Sequence, residues 1–194
     1  FLGCVCRQKG LYQEGVFFLS RAVSLSPCDS DCWYNLGNVY MDACLYKRAV
    51  ECFEEGLRYR NEFPEALINL GYSLFELGRF EESMHVLERG LLIKDSCAQG
   101  WMNLGNTFNA LEKSGNAIAC FRRSIKEDCK FMGAYLNLGI VLRQEGELEE
   151  AIANFRKAIE VKPDFAEAYL NLGVVLKEEG EVEEGIANFR KAIE

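Results

Sequence analysis

Five asparagines recur at a constant interval of 34 residues, and their side chains are the chain's best candidates for repeated chemistry. They are Asn35, Asn69, Asn103, Asn137 and Asn171. An Asn amide offers two N–H donors and one carbonyl acceptor, so it can hold the backbone of an extended peptide whatever its side chains are. The interval predicts a binding surface that is repeated along the molecule rather than gathered in one pocket.

Catalytic and metal-binding motifs are missing from the sequence. There is one histidine, His85, and the close cysteine pairs, Cys4-x-Cys6 and Cys28-x3-Cys32, do not match zinc-site spacing. No phosphate-binding loop, zinc-protease motif or nucleophile elbow occurs. We therefore expect no enzyme, no cofactor and no bound metal, although a catalytic domain elsewhere in a longer chain stays open.

The overall composition disfavours some classes of binding partner. The net charge is −8 and there is no basic stripe, which argues against nucleic acid and anionic lipid. No apolar run is long enough to span a membrane. Nine cysteines do not follow the repeat, and several replace small apolar residues, so we interpret them as reduced thiols in a cytoplasmic protein.

Each asparagine belongs to a repeated unit whose apolar residues follow two helical faces. The rows are residues 1–29 (without its first five positions), 30–63, 64–97, 98–131, 132–165 and 166–194. Large residues at positions 4 and 11 and Gly at position 8 lie on one helix face, and small, large and small residues at positions 20, 24 and 27 lie on a second. The period predicts one array of stacked, antiparallel helical hairpins across residues 1–194.

The pattern of aromatic, Leu-Gly, aromatic, small, aromatic and small residues resembles the tetratricopeptide repeat. Examples are Trp33, Leu36-Gly37, Tyr40, Ala49, Phe53 and Gly56. The resemblance implies an all-α, right-handed superhelix, an α-α solenoid. Cys44 and Glu112 replace the Gly between the two helices of their rows, which predicts altered turns in those hairpins.

In tetratricopeptide folds, positions 2, 5, 6, 9, 12 and 13 line the inner groove. The five asparagines occupy position 6, and the groove positions beside them add further candidate contacts. We predict that side chains of the ligand are selected by Tyr34, Asn38, Tyr72, Met102 and Asn106. Cations needed to clamp a C-terminal carboxylate are absent from the matching positions, so chaperone-tail docking is not expected.

Three functions remain compatible with the sequence. The first is a non-catalytic scaffold that binds an extended peptide or partner helix in its groove. The second is the substrate-recognition arm of a larger glycosyltransferase. The five asparagines at position 6, which we call the asparagine ladder, also resemble the arrangement in the superhelical arm of O-GlcNAc transferases. The third is a structural module that associates with itself end to end through uncapped terminal repeats.

Overall fold

The structure is a computed structural model that describes residues 12–193, and every described element is an α-helix. The helices are α1 Tyr12–Leu25, α2 Ser30–Asp42, α3 Tyr46–Tyr59, α4 Pro64–Glu76, α5 Phe80–Ile93, α6 Ala98–Ala110, α7 Ser114–Glu127, α8 Met132–Gln144, α9 Leu148–Val161, α10 Ala166–Glu178 and α11 Val182–Ile193. The helices from α2 onward fall in pairs within the predicted rows. The all-α fold class is confirmed.

The described residues form two compact units, which divide between Asp95 and Ser96. Helices α1 to α5 belong to the first unit and α6 to α11 to the second. Helix α1 is the second helix of the first row; the residues predicted to form that row's first helix, including Cys4 and Cys6, lie outside the described residues. Continuity of all six rows in one array stays a prediction.

Each hairpin whose two helices are both described closes where a glycine of its first helix meets a large side chain of its second. A Cβ added at Gly37 would lie 2.6 Å from the Phe53 ring, and one added at Gly139 would lie 2.6 Å from the Phe155 ring. Both rings are completely buried. The small residue at position 8 and the large one at position 24 are therefore one packing device.

From α2 onward, the turns inside the hairpins share one backbone conformation, which corrects the expectation for two of them. Cys44 and Glu112 both have φ of 57°, in the same left-handed region as Gly78, Gly146 and Gly180. The closing bond is also conserved in geometry: Lys113 N donates to Phe108 O at 2.9 Å, as Glu147 N does to Leu142 O. The prediction of altered turns was wrong, because the hydrogen bonds of the turn hold even a residue with a Cβ in this conformation.

Candidate functional site

Two of the five asparagines form a hydrogen bond with another asparagine, which lies in the preceding repeat. Asn69 Nδ2 donates to Asn38 Oδ1 at 2.7 Å in the first unit. Asn137 Nδ2 donates to Asn106 Oδ1 at 2.8 Å in the second. In each pair the donor is at position 6 of one repeat and the acceptor at position 9 of the repeat before it, 31 residues earlier. The pairs fix the orientation of both amides.

Asn38 and Asn69 differ in how deeply their side chains are buried. Asn38 is only 1% exposed, whereas Asn69 is half-buried on the first-helix layer. Asn38 was predicted to contact ligand side chains, but the structure places it beneath Asn69. Its amide is therefore positioned to orient Asn69 rather than to reach a ligand. Among the described residues, no hydrogen bond is made to Asn69 Oδ1, so that acceptor is available.

The other three ladder asparagines have different partners. Asn35 Nδ2 donates to Asp31 O at 2.7 Å, and Asn171 Nδ2 to Glu167 O at 2.8 Å, each one turn back on its own helix. For Asn171 the reason is visible in the sequence, since position 9 of the preceding repeat is the apolar Ile140.

Asn103 is the most buried of the five. It is 4% exposed, and its Oδ1 accepts from Gln99 Nε2 at 2.8 Å. The ladder is regular in sequence but not in hydrogen bonding. A sequence signal for the Asn–Asn pairs was missed. Among the five asparagines, only Asn69 and Asn137 have another Asn 31 residues earlier in the chain.

Tyr34 lies beside the Asn38–Asn69 pair. Its ring packs against Phe63 with centroids 4.8 Å apart, and its hydroxyl oxygen is 3.5 Å from Asn69 Nδ2. The side chain is half-buried and its orientation is held by aromatic neighbours.

Tyr72 makes an edge contact with Tyr46, with ring centroids 6.1 Å apart. Burial, and after it the neighbouring Glu76 carboxylate, raises the pKa of Tyr72 above its ordinary value. The pKa of Tyr46 is raised as well, first by its hydrogen bond with Cys44 and then by burial. Both phenols are thus neutral hydrogen-bonding groups at physiological pH.

Met102 lies in the second unit and covers Gly133. A Cβ added at Gly133 would lie 3.3 Å from Met102 Sδ. The flexible thioether is half-buried, as suits a side chain that adapts to different neighbours.

Charges at the ends of the first helices are largely paired. Arg60 Nη1 lies 3.1 Å from Asp31 Oδ1, and Lys94 Nζ lies 2.9 Å from Glu65 Oε1. The hydrogen bond from Lys94 lowers the pKa of Glu65. These pairs are exposed and contribute little stability, but they neutralise the carboxylates of Asp31 and Glu65, which occupy position 2 of their repeats. What remains near the asparagines is mainly amide and aromatic surface.

The described residues hold no group of three or more His, Cys, Asp or Glu side chains that could bind a metal ion. In the same part of the chain, no helix is long and apolar enough to cross a membrane.

Family models and solved structures identify the class of this fold. Models described as "Tetratricopeptide repeat" match residues 30–63, 64–97 and 98–128, and one described as "TPR repeat" matches residues 139–180. The chain belongs to the tetratricopeptide repeat family. This family indicates a protein-interaction scaffold.

Solved structures show the same fold at low sequence identity. MamA is 24% identical over 81% of this chain and 92% of that chain, with a TM-score of 0.74. The protein pilF of Pseudomonas aeruginosa is 20% identical over 96% of this chain and 85% of that chain, with a TM-score of 0.85. YrrB, described as a TPR protein with an unusual peptide-binding site, is 22% identical over 90% of each chain, with a TM-score of 0.71.

Proposed function

We propose that the inner face of each unit binds an extended peptide through its backbone, and that Asn69 and Asn137 make the direct contacts. The observation that carries this proposal is the pair of Asn–Asn hydrogen bonds at 2.7 and 2.8 Å. Each bond leaves the Oδ1 atom of Asn69 or Asn137 as an acceptor, whereas the second N–H of Asn69 faces the Tyr34 hydroxyl oxygen at 3.5 Å. A peptide N–H is the complementary donor.

The pairs also lower the entropic cost of binding. An isolated surface Asn side chain must give up rotamer freedom when it binds a ligand, whereas Asn69 and Asn137 are already held by their partners. Asn38 and Asn106 are positioning residues in this arrangement. Tyr34, Tyr72 and Met102 supply aromatic and thioether surface for side chains of the peptide, a composition typical of interfaces. YrrB provides an example of peptide binding on this fold.

The proposal is tested on peptides selected from a random library displayed on phage and then synthesised. Each Asn–backbone hydrogen bond contributes about 0.5–1.5 kcal/mol, so Asn69→Ala should weaken a peptide bound to the first unit by about 2- to 13-fold. Asn171→Ala is the matched control, because Asn171 bonds to its own helix and has no Asn partner. Titration by fluorescence anisotropy measures both.

N-methylation of the peptide tests whether its backbone is what Asn69 recognises. Methylating the peptide nitrogen that contacts Asn69 should cost as much affinity as Asn69→Ala, and the two changes together should cost no more than one. Equal affinities for the wild type and for Asn69→Ala and Asn137→Ala would contradict the proposal. In that case, the asparagines serve only the packing between repeats.

A second candidate function is self-association. Leu170 is 51% exposed, whereas the matching Leu136 of the preceding repeat is 4% exposed because α10 packs near it. On α11, the apolar side chains of Val182 and Ile186 are also exposed. We expect Leu170→Glu to lower the mass measured by light scattering at high protein concentration. A mass that is monomeric at every concentration contradicts this candidate. The glycosyltransferase-arm hypothesis stays a prediction.

A further inference from the structure

A groove on a different face of the first unit is not used by the proposed function. It runs between the second helices α1 and α3, with α2 beneath it, and has a volume of about 790 Å³. Its lining residues come from these three helices and the loop after α1. They are Ser20, Val23, Ser24, Pro27, Trp33, Leu36, Tyr40, Arg48, Glu51, Cys52, Glu54 and Glu55.

The two second helices that border the groove lack a salt bridge found in the second unit. There, Arg122 Nη2 reaches Glu150 Oε1 at 2.8 Å, and Arg156 Nη2 reaches Glu184 Oε1 at 3.0 Å, linking consecutive second helices. The residues at the matching positions of α1 and α3 are Ser20 and Arg48. A serine has no charge with which to form an ion pair with this guanidinium, which lies over the Tyr40 ring, 5.6 Å from its centroid.

The floor of the groove is apolar. Leu36 and Tyr40 are buried, and the Trp33 indole N–H is already satisfied by Pro27 O at 2.7 Å. Cys52 is buried as well, and burial raises the pKa of its thiol to about 12, so it adds a neutral, apolar surface. Of this floor, the Trp33 side chain is only half-buried, so an apolar or aromatic side chain of a partner would chiefly remove Trp33 from water.

The wall formed by α3 carries three glutamates and one arginine, Arg48, so it has an acidic excess. Glu55 is paired with Arg58 at 2.7 Å, but Glu51 and Glu54 form no ion pair within 4.0 Å with another described residue. Glu51 and Glu54 are exposed on the same helix face of the groove. Their charge complements a cation rather than an anion.

We propose that this groove, defined by α1, α2 and α3, binds a protein segment that carries an apolar or aromatic side chain next to a Lys or Arg. The apolar side chain lies on Trp33 and Leu36, and the cation pairs with Glu51 and Glu54. This second surface is independent of the asparagine pairs.

The test rebuilds the missing bridge. In Ser20→Arg/Arg48→Glu, the first unit acquires the Arg–Glu combination of the second unit, which closes the groove without changing the core. The probe is a random peptide library on phage, and enriched peptides are synthesised for anisotropy titration. Peptides with adjacent apolar and basic residues should be enriched on the wild type, and the double variant should weaken their binding at least about tenfold, the loss expected from one anchor.

Two further variants make the result specific. Glu51→Lys/Glu54→Lys should turn the preference from basic to acidic peptides, because it reverses the charge of the wall. Arg122→Ser/Glu150→Arg changes the matching positions of the second unit and should leave these peptides bound as before. Circular dichroism of every variant checks that the helices are intact.

Each remaining outcome overturns the proposal. No enrichment of apolar–basic peptides, or equal binding to the wild type and Ser20→Arg/Arg48→Glu, shows that the groove is not their site. Loss of binding in Asn69→Ala but not in the closed variant assigns the peptides to the inner face. Dimerisation of the wild type that the closed variant abolishes, measured by analytical ultracentrifugation, identifies a second copy as the occupant.

Discussion

At the scale of single residues, the left-handed position in the turn of each described hairpin is occupied by glycine in some repeats and by a residue with a Cβ in others. Cys44 and Glu112 hold a left-handed backbone that three other hairpins assign to glycine. A side chain with a Cβ pays about 1–2 kcal/mol for this conformation, whereas glycine does not. These two turns are therefore sites where the fold accepts local strain in exchange for a side chain.

Glu112→Gly should stabilise the protein by about 0.5–1 kcal/mol, because relief of the left-handed strain exceeds the added entropy of the unfolded chain. Gly146→Ala is the reverse experiment: φ is 84° and no atom lies within 4 Å of the added Cβ, so backbone strain alone should destabilise the protein. Urea denaturation measures both. A loss of stability in Glu112→Gly would mean that its side chain makes a more valuable contact than the strain costs.

The thiols should differ in reactivity according to burial. Since the pKa of Cys52 is raised to about 12, the thiolate fraction at pH 8 is on the order of 1,000-fold below that of an ordinary thiol. We expect iodoacetamide to label the exposed Cys28, Cys44 and Cys129 well before Cys52, as measured by peptide mass spectrometry. Rapid labelling of Cys52 would show that α3 opens frequently.

The same shift makes stability depend on pH. The folded pKa of Cys52 exceeds the ordinary value of 9.0, so the neutral thiol contributes fully below about pH 9. This contribution is lost as the pH rises towards about 12. Cys52→Ala should remove that part of the alkaline decline in thermal melts. Cys28→Ala, which changes an exposed thiol, serves as its control.

At the scale of helices, the two helices of a hairpin pack through a glycine on the first and a bulky side chain on the second. Gly139→Ala places a methyl group 2.6 Å from the buried Phe155 ring and should destabilise the protein by about 1–3 kcal/mol. Gly115→Ala, near the start of α7 with no atom within 4 Å, should leave stability unchanged or raise it by up to about 1 kcal/mol. Calorimetry distinguishes them. Equal melting temperatures would mean that Phe155 repacks without cost.

Sequence reasoning predicted the helical pairs because their determinants are local and periodic. Gly139 and Phe155 can be assigned to facing positions from the 34-residue interval alone. The Asn38–Asn69 bond could not be predicted in the same way, since it depends on side-chain orientation between repeats. The turn at Cys44 was also mispredicted, because residue preference was given more weight than the hydrogen bonds that close the turn.

At the scale of the whole molecule, stability should be distributed locally. Within each unit, every described helix contacts only its next one or two neighbours along the chain. Gly139→Ala should therefore increase hydrogen exchange in α8, α9 and their neighbours while α2 and α3 remain protected. Gly37→Ala should give the reciprocal result. A uniform increase over all helices in either variant would show that the chain opens only as a whole.

The spacing of the Arg–Glu bridges has a consequence for how such a gene changes length. Arg122 pairs with Glu150 and Arg156 with Glu184, in both cases 28 residues apart and one repeat onward. Residues 134–160 and 168–194 are identical at 22 of 27 positions. A tandem copy of either block therefore brings a compatible Arg for the block after it and a compatible Glu for the block before it. Unequal recombination can add or remove whole 34-codon blocks here without leaving a charge unmatched at the new junction.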